Sequence, residues 1–312
     1  MWLLIPIFFL GFLTPIQTAA NSRLRQTVVS PLVASLVSFT VGTIFLAIVV
    51  FCEKGSLLIE SELVERLPWW AWFGGMCGLW GLTVNIIIFP KLGAVQTALM
   101  PMLGQIGMGI IIDSFGLLRS PVFPFTLKRA VALLILLAGI VMIVSRKEAS
   151  EKKTNLLLWQ LIGISGGTVF AMQPSMNSLL SMGLYSSVHA AFVSFVTATI
   201  MLLLLVVSIP KDRANIPKIF LTRAATSSDA LKRPWWAWLG GIIGGTFVAG
   251  FAFFASKTGI GILLITSICG MLTNSLVIDK FGLLGASKKH IGPLQYIGLV
   301  LVVAGIIILR LN

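Results

Sequence analysis

The sequence predicts an all-α integral membrane protein, with ten transmembrane helices arranged as two inverted five-helix repeats. Three observations predict it. Of 312 residues, 57% are hydrophobic and 11% charged, with a mean hydropathy of +1.00; that is more apolar surface than a water-soluble chain of this size can hide. Ten apolar stretches each approach the roughly 20 residues that carry a helix across a bilayer. One unusual phrase is written twice, PWWAWFGG at 68–75 and PWWAWLGG at 234–241, 166 positions apart.

The first span is Trp2–Ala20. It ends on small residues as a cleaved leader would, but it lacks a basic flank and has an internal counterpart, so it reads as a span. Gln17 and Asn21 follow Pro15, four residues apart on one helix face. The second span is Pro31–Cys52. A proline loses no hydrogen bond in a helix's first turn, so Pro68 and Pro234 mark where the third and eighth spans enter. The third, Trp69–Phe89, follows Pro68. Its tryptophans suit the headgroup layer, and Gly74-xxx-Gly78 behind them suits close helix packing; an aromatic cage for a cation is the competing reading. The fourth, Ala94–Ile112, runs into IDSFGLL at 112–118, and the fifth, Leu127–Ser145, ends at the basic stretch SRKEASEKKTN of 145–155.

The sixth span, Leu156–Met176, holds Gln173 and brings Asn177 onto the same face across Pro174. The seventh, Ser186–Ser208, carries His189 near one end. The eighth, Trp236–Ala255, repeats the glycine spacing as Gly240-xxx-Gly244 and Gly241-xxx-Gly245. The ninth, Gly259–Ile278, runs into IDKFGLL at 278–284, and the tenth is Pro293–Arg310. The division is therefore a first repeat at 1–145, a linker at 146–155 and a second repeat at 156–312.

The repeat extends well beyond the tryptophans. At the offset of 166, Gly78 falls on Gly244, Lys91 on Lys257, Gly93 on Gly259 and Gly104 on Gly270. Upstream the offset is 156, and Gln17 falls on Gln173, Asn21 on Asn177, Ser38 on Ser194 and Phe39 on Phe195. Five spans per copy is an odd number, so the second copy enters from the opposite face and the halves are expected to be inverted about an axis in the membrane plane. Such halves can exchange conformations and alternate the access of a cavity between them.

The net charge of +13 is spread over the connections and not gathered into a nucleic-acid-binding domain. Sixteen of the 23 basic residues fall on the side of the 145–155 and 209–235 connections, which places those inside and both termini outside. Cys52, Cys77 and Cys269 are too few and too scattered for a disulfide framework or a metal site.

Two five-span halves, PWWAW(F/L)GG, LGQ…IDxFGL in the fourth span and QxxxNS in the first together resemble a fused, two-domain member of the YdcZ-type family of the drug/metabolite transporter superfamily. The resemblance covers essentially the whole chain and implies a ten-helix exporter of the inner membrane. One departure is that Gln105 of the GQ pair becomes Met271 in the second half.

Polar groups inside spans are costly, so each is a candidate for function. Gln17, Asn21, Gln173 and Asn177 are either symmetric brackets around a central cavity or hydrogen-bonded glue between helices. Asn85, Gln96 and Gln105 occur only in the first half and Thr266, Ser267, Thr273 and Asn274 only in the second; these one-sided residues are candidates for substrate recognition. His189, Asp113 and Asp279 are candidates for coupling, with capping or ion pairing the alternative for the two aspartates. Lys91 and Lys257 read as snorkelling lysines. No acidic residue lies in the interior of a span, which favours neutral, zwitterionic or amphipathic solutes over bare cations.

The function expected is secondary transport, most simply export of a small metabolite or drug-like solute. An uptake carrier on the same fold and a non-transporting scaffold or partner subunit are the alternatives. No P-loop, HExxH or GxSxG pattern is present, so neither ATP drive nor an enzyme is expected. The expected partners are a small-molecule substrate and the lipid bilayer, with a homodimer left open; no nucleic acid, cofactor or metal is expected.

Overall fold

A computed structural model describes residues 2–144, 156–220, 234–285, 288 and 291–310. The basic linker at 146–155 lies outside the described residues. Among the described residues eleven α-helices follow in order: α1 (Leu4–Val28), α2 (Pro31–Lys54), α3 (Ser61–Arg66), α4 (Gly74–Phe115), α5 (Leu127–Val144), α6 (Leu156–Gly183), α7 (Ser187–Ser208), α8 (Pro210–Arg213), α9 (Leu239–Thr258), α10 (Ile260–Phe281) and α11 (Pro293–Arg310). Among the described residues, seven segments are long and apolar enough to cross a membrane: α1, α2, Gln96–Phe115 of α4, α6, α7, Trp235–Thr258 and α10. The remaining three expected spans fall on the first arm of α4, on α5 and on α11.

The helices begin where the sequence offers caps. Ser30 and Ser186 accept from the backbone N–H of Val33 and His189, three residues into α2 and α7, and Pro31 takes the first position of α2. Pro68 and Pro234 precede single 3₁₀ turns, Trp69–Phe73 and Trp235–Trp238, that lead into α4 and α9. Within them Ala71 and Ala237 are buried while Trp69 and Trp235 are three-quarters exposed, as headgroup residues should be.

The third and fourth expected spans are the two arms of one continuous helical segment, α4, that folds back on itself. A Cβ at Gly166 would lie 2.6 Å from Val84 Cγ1, and one at the adjacent Gly167 would run into the Pro101 carbonyl. Seventeen residues of straight helix would hold Val84 and Pro101 about 25 Å apart. Both arms therefore pack along α6. At the matching place in the second half, Gly259 (φ 80°) separates α9 from α10.

The repeat is visible in the backbone. The phrase FGLL ends α4 and α10 alike: Gly116 and Gly282 cap the helices in the left-handed region, and Leu118 and Leu284 follow at φ 55° and 56°. Val29 and Tyr185, the residues that end α1 and the turn before α7, share the same conformation at φ 63° and 53°.

Packing crosses between the halves. α1 lies on α9 and α10, α6 on α4, α2 on α7, and α5 on α11. Gly11 admits the Ser267 carbonyl as Gly167 admits that of Pro101; Gly270 admits Phe8 as Gly104 admits Ile164. In each pair the second contact is the first with the repeat offsets applied. Between α2 and α7, Phe39 stacks on Phe195 with ring centroids 4.9 Å apart, and Thr43 bonds Thr199 at 3.0 Å, each residue meeting its own counterpart. The ends of this helix pair are clasped by carboxylates: Ser30 Oγ donates to Asp212 Oδ1 (2.6 Å) and Ser186 Oγ to Glu53 Oε2 (2.9 Å).

Candidate functional site

The polar faces of these helices enclose a cavity of about 300 Å³. Its walls come from α1, α2, α4, α6, α7, α9 and α10, hence from both halves of the chain. Amides project from Gln17, Asn21, Asn85, Gln105 and Gln173, and hydroxyls from Thr14, Thr18, Ser35, Ser38 and Ser267. Phe39, Phe170, Phe195, Phe247 and Phe251 supply flat apolar surface. Among the described residues that line it, none is Asp, Glu, Lys, Arg or His. A larger groove of about 690 Å³ runs between α1, α2 and α9, but apart from Ser187 and Thr246 its lining is apolar, with exposed Ile5, Phe9 and Phe253. It lacks the groups needed to orient a polar solute.

Glycines seat the bracketing amides. A Cβ at Gly78 would lie 2.8 Å from Gln173 Oε1, and one at Gly244 2.5 Å from Gln17 Nε2. Gly74 leaves room for Asn177 Oδ1 and Gly240 for Asn21 Oδ1. The repeated Gly-xxx-Gly phrase thus serves amide side chains as much as helix backbones, because only a missing Cβ lets a carboxamide lie against the helix.

The two asparagines of the repeat differ. Asn177 is 1% exposed, does not line the cavity, and accepts a hydrogen bond of 2.5 Å from Ser194 Oγ. Asn21 and Ser38, at the equivalent positions, both line the cavity, and Asn21 Oδ1 has no hydrogen-bond partner among the described residues.

The one-sided residues divide. Asn85 and Gln105 line the cavity; Gln96 instead accepts from Gln160 Nε2 (3.1 Å), and Asn274 donates to the Phe12 carbonyl (2.5 Å). Ser267 lines it and Thr266 is buried away from it.

The coupling candidates lie outside the cavity. Asp113, 2% exposed, accepts from the backbone N–H of Ile260 at 2.6 Å and of Gly261 at 2.8 Å, so its carboxylate holds the first turn of α10. This is neither a cap of its own following turn nor a direct ion pair, although Arg129, which donates to the Phe123 carbonyl (2.8 Å), is within electrostatic reach. Asp279 is half-buried at the end of α10. His189 is 2% exposed near Glu53 and Lys54 at the end of α2. Lys91 and Lys257 sit over the rings of Trp159 (5.5 Å) and Phe253 (3.4 Å).

Sequence reasoning missed the phenylalanines of the wall. Phe39 and Phe195 were legible as a matched pair, but Phe170, Phe247 and Phe251 look like ordinary lipid-facing residues until the helices are assembled.

A profile of the family described as "Putative inner membrane exporter, YdcZ" matches residues 1–142 and again 158–308. The chain belongs to this family. As a YdcZ-type protein of the drug/metabolite transporter superfamily, it is a multi-pass protein of the inner membrane. A solved crystal structure, 14% identical, superposes with a TM-score of 0.67 over 99% of this chain and 96% of its own, which establishes a shared fold. No curated protein matches the chain.

Proposed function

We propose that the protein is a secondary transporter that exports a small uncharged or amphipathic solute by alternating access between two inverted five-helix repeats. The observation that carries this reading is a polar cavity, with no charged residue among its described lining, walled by both halves of a YdcZ-type chain. The crossed packing supports the inversion, since contacts such as Gly11 with Ser267 and Gly167 with Pro101 recur with partners exchanged. Alternating access draws support from the two ends of the cavity. With the topology expected from the basic residues, the end carrying the Asn177–Ser194 bond is the outer one and the end where Asn21 and Ser38 line the cavity without such a bond is the cytoplasmic one, so the two ends differ as alternating access requires.

Counterflow in proteoliposomes loaded with pooled metabolites tests the reading. The expected result is selective exchange of one or a few uncharged members, lost when Gln17 and Gln173 are both replaced by alanine. Absence of flux for every member, together with absence of any solute-induced stabilisation, would point to the scaffold alternative instead. Vectorial uptake into cells that exceeds efflux would reverse the direction.

A further inference from the structure

We propose that the cavity selects an uncharged, planar solute with an amide-like edge, such as an aryl carboxamide, a lactam or a nucleobase ring. The proposal rests on the transport reading of the same cavity and adds the chemical class of its occupant.

The first support is unspent hydrogen-bonding capacity. Gln17, Asn85, Gln105 and Gln173 line the cavity, and none of their side chains makes a hydrogen bond among the described residues. Gln173 is only 6% exposed. None of the four appears among the described side chains with a fully buried, unpartnered amide atom, and Asn85 is exposed, so their donors and acceptors stay accessible from the cavity for a solute to take up in place of water. Each carboxamide presents a donor and an acceptor side by side. Its natural complement is another donor–acceptor edge of the same spacing, which an amide, lactam or nucleobase carries and a simple alcohol or amine does not.

The second support is the division of the walls. Asn85 and Gln105 come from α4, whereas Phe247 and Phe251 come from α9, with ring centroids 4.0 Å apart, and Met271 from α10. By the repeat, Phe251 stands where Asn85 does and Met271 where Gln105 does. The α4 side of the wall thus offers hydrogen-bonding groups where the matching positions of α9 and α10 offer flat apolar surface, as a solute with one polar edge and one apolar face requires. The volume of about 300 Å³ is at the small end of ligand cavities, enough for one or two rings.

The third support is the absence of any charged or titratable residue from the described lining. An ion brought to mid-membrane without a counter-charge is strongly disfavoured, and neutral amide dipoles recover only part of its hydration. Cations and anions are both excluded by the same wall.

Benzamide, benzoate and benzamidinium share one shape and differ in the charge of the edge. Their binding to the whole protein in lipid nanodiscs, measured by calorimetry, tests the proposal without any variant. Benzamide should bind at least about tenfold more tightly than either ion, the discrimination expected of a charge-free membrane site. Gln105→Met should weaken benzamide by about fivefold or more, the scale of one lost hydrogen bond, while Gln105→Glu should shift preference toward benzamidinium. An ion that binds as tightly as benzamide, failure of all three to bind, or benzamide affinity unchanged in both Gln105→Met and Gln173→Leu would overturn the proposal. Radiolabelled flux separates it from the transport reading. Benzamide that binds but does not cross leaves the class standing and removes transport; benzamidinium or benzoate that binds and crosses does the reverse.

Discussion

At one end of the cavity Ser194 Oγ bonds Asn177 over Gly74; at the other, Ser38 and Asn21 flank Gly240 with the asparagine oxygen unbonded and both side chains in the cavity wall. The residue types, the sequence spacing and the seating glycine are the same in both places. What differs is whether the serine hydroxyl is spent on the amide. Such a bond contributes about 1 kcal/mol net, small enough to be made in one copy and broken in the other without further change in sequence. Matched residues therefore make different bonds in the two copies, and packing decides which copy makes the bond.

The largest expected contrast between the halves is at the aspartates. Asp113→Ala strands two N–H groups at the start of α10 and should destabilise the protein by about 3 kcal/mol. Asp279→Ala should cost clearly less, because Asp279 is only half-buried. Thermal unfolding of both variants in one detergent compares them, and equal losses would show that the two FGLL corners are held alike.

Next come the glycines that bring α4 and α9 against the asparagine–serine pairs. A Cβ at Gly75 would strike the Ser194 carbonyl and one at Gly241 the Ser38 carbonyl. Gly75→Ala and Gly241→Ala should each lose about 2 kcal/mol, the scale of overpacking. Matched losses confine the difference between the ends to the side chains; unmatched losses would mean that the helix backbones themselves are packed differently.

A smaller effect addresses the pairs directly. Asn177→Ala removes a made bond and should lower stability by about 1 kcal/mol, whereas Asn21→Ala should change it by less than about half of that. Solute affinity should respond in the opposite order. If Asn21→Ala proves the more destabilising, the end without the serine–asparagine bond is the tighter one.

Labelling should leave stability untouched and fix which end is which. In a background lacking the native thiols, an impermeant maleimide applied from the periplasmic side should modify Glu60→Cys and spare Ser150→Cys. The converse pattern inverts the assignment of the outer end while leaving the contrast between the ends intact.

Much of this was legible in the sequence. Composition and span length are local quantities, and they suffice to announce a membrane-embedded helical chain. The repeat offsets aligned Gln17 with Gln173 and singled out Asn85 and Gln105, because a polar residue in lipid is conspicuous wherever it falls. The same rule also raised Gln96 and Asn274, whose polarity is spent on Gln160 and on the Phe12 carbonyl.

Only the tertiary structure could distinguish a cavity amide from a packing amide, since both satisfy the same sequence pattern and differ only in what stands opposite. It decided that Asp113 holds the first turn of a helix 147 residues away, that α4 turns back within one helical segment, and that Phe39 meets Phe195 across α2 and α7. It also decided that Asn21 and Asn177, identical in sequence context, make different bonds. Periodicity and propensity act over a few turns of helix, whereas a hydrogen bond between distant segments depends on where packing sets two backbones to within tenths of an ångström.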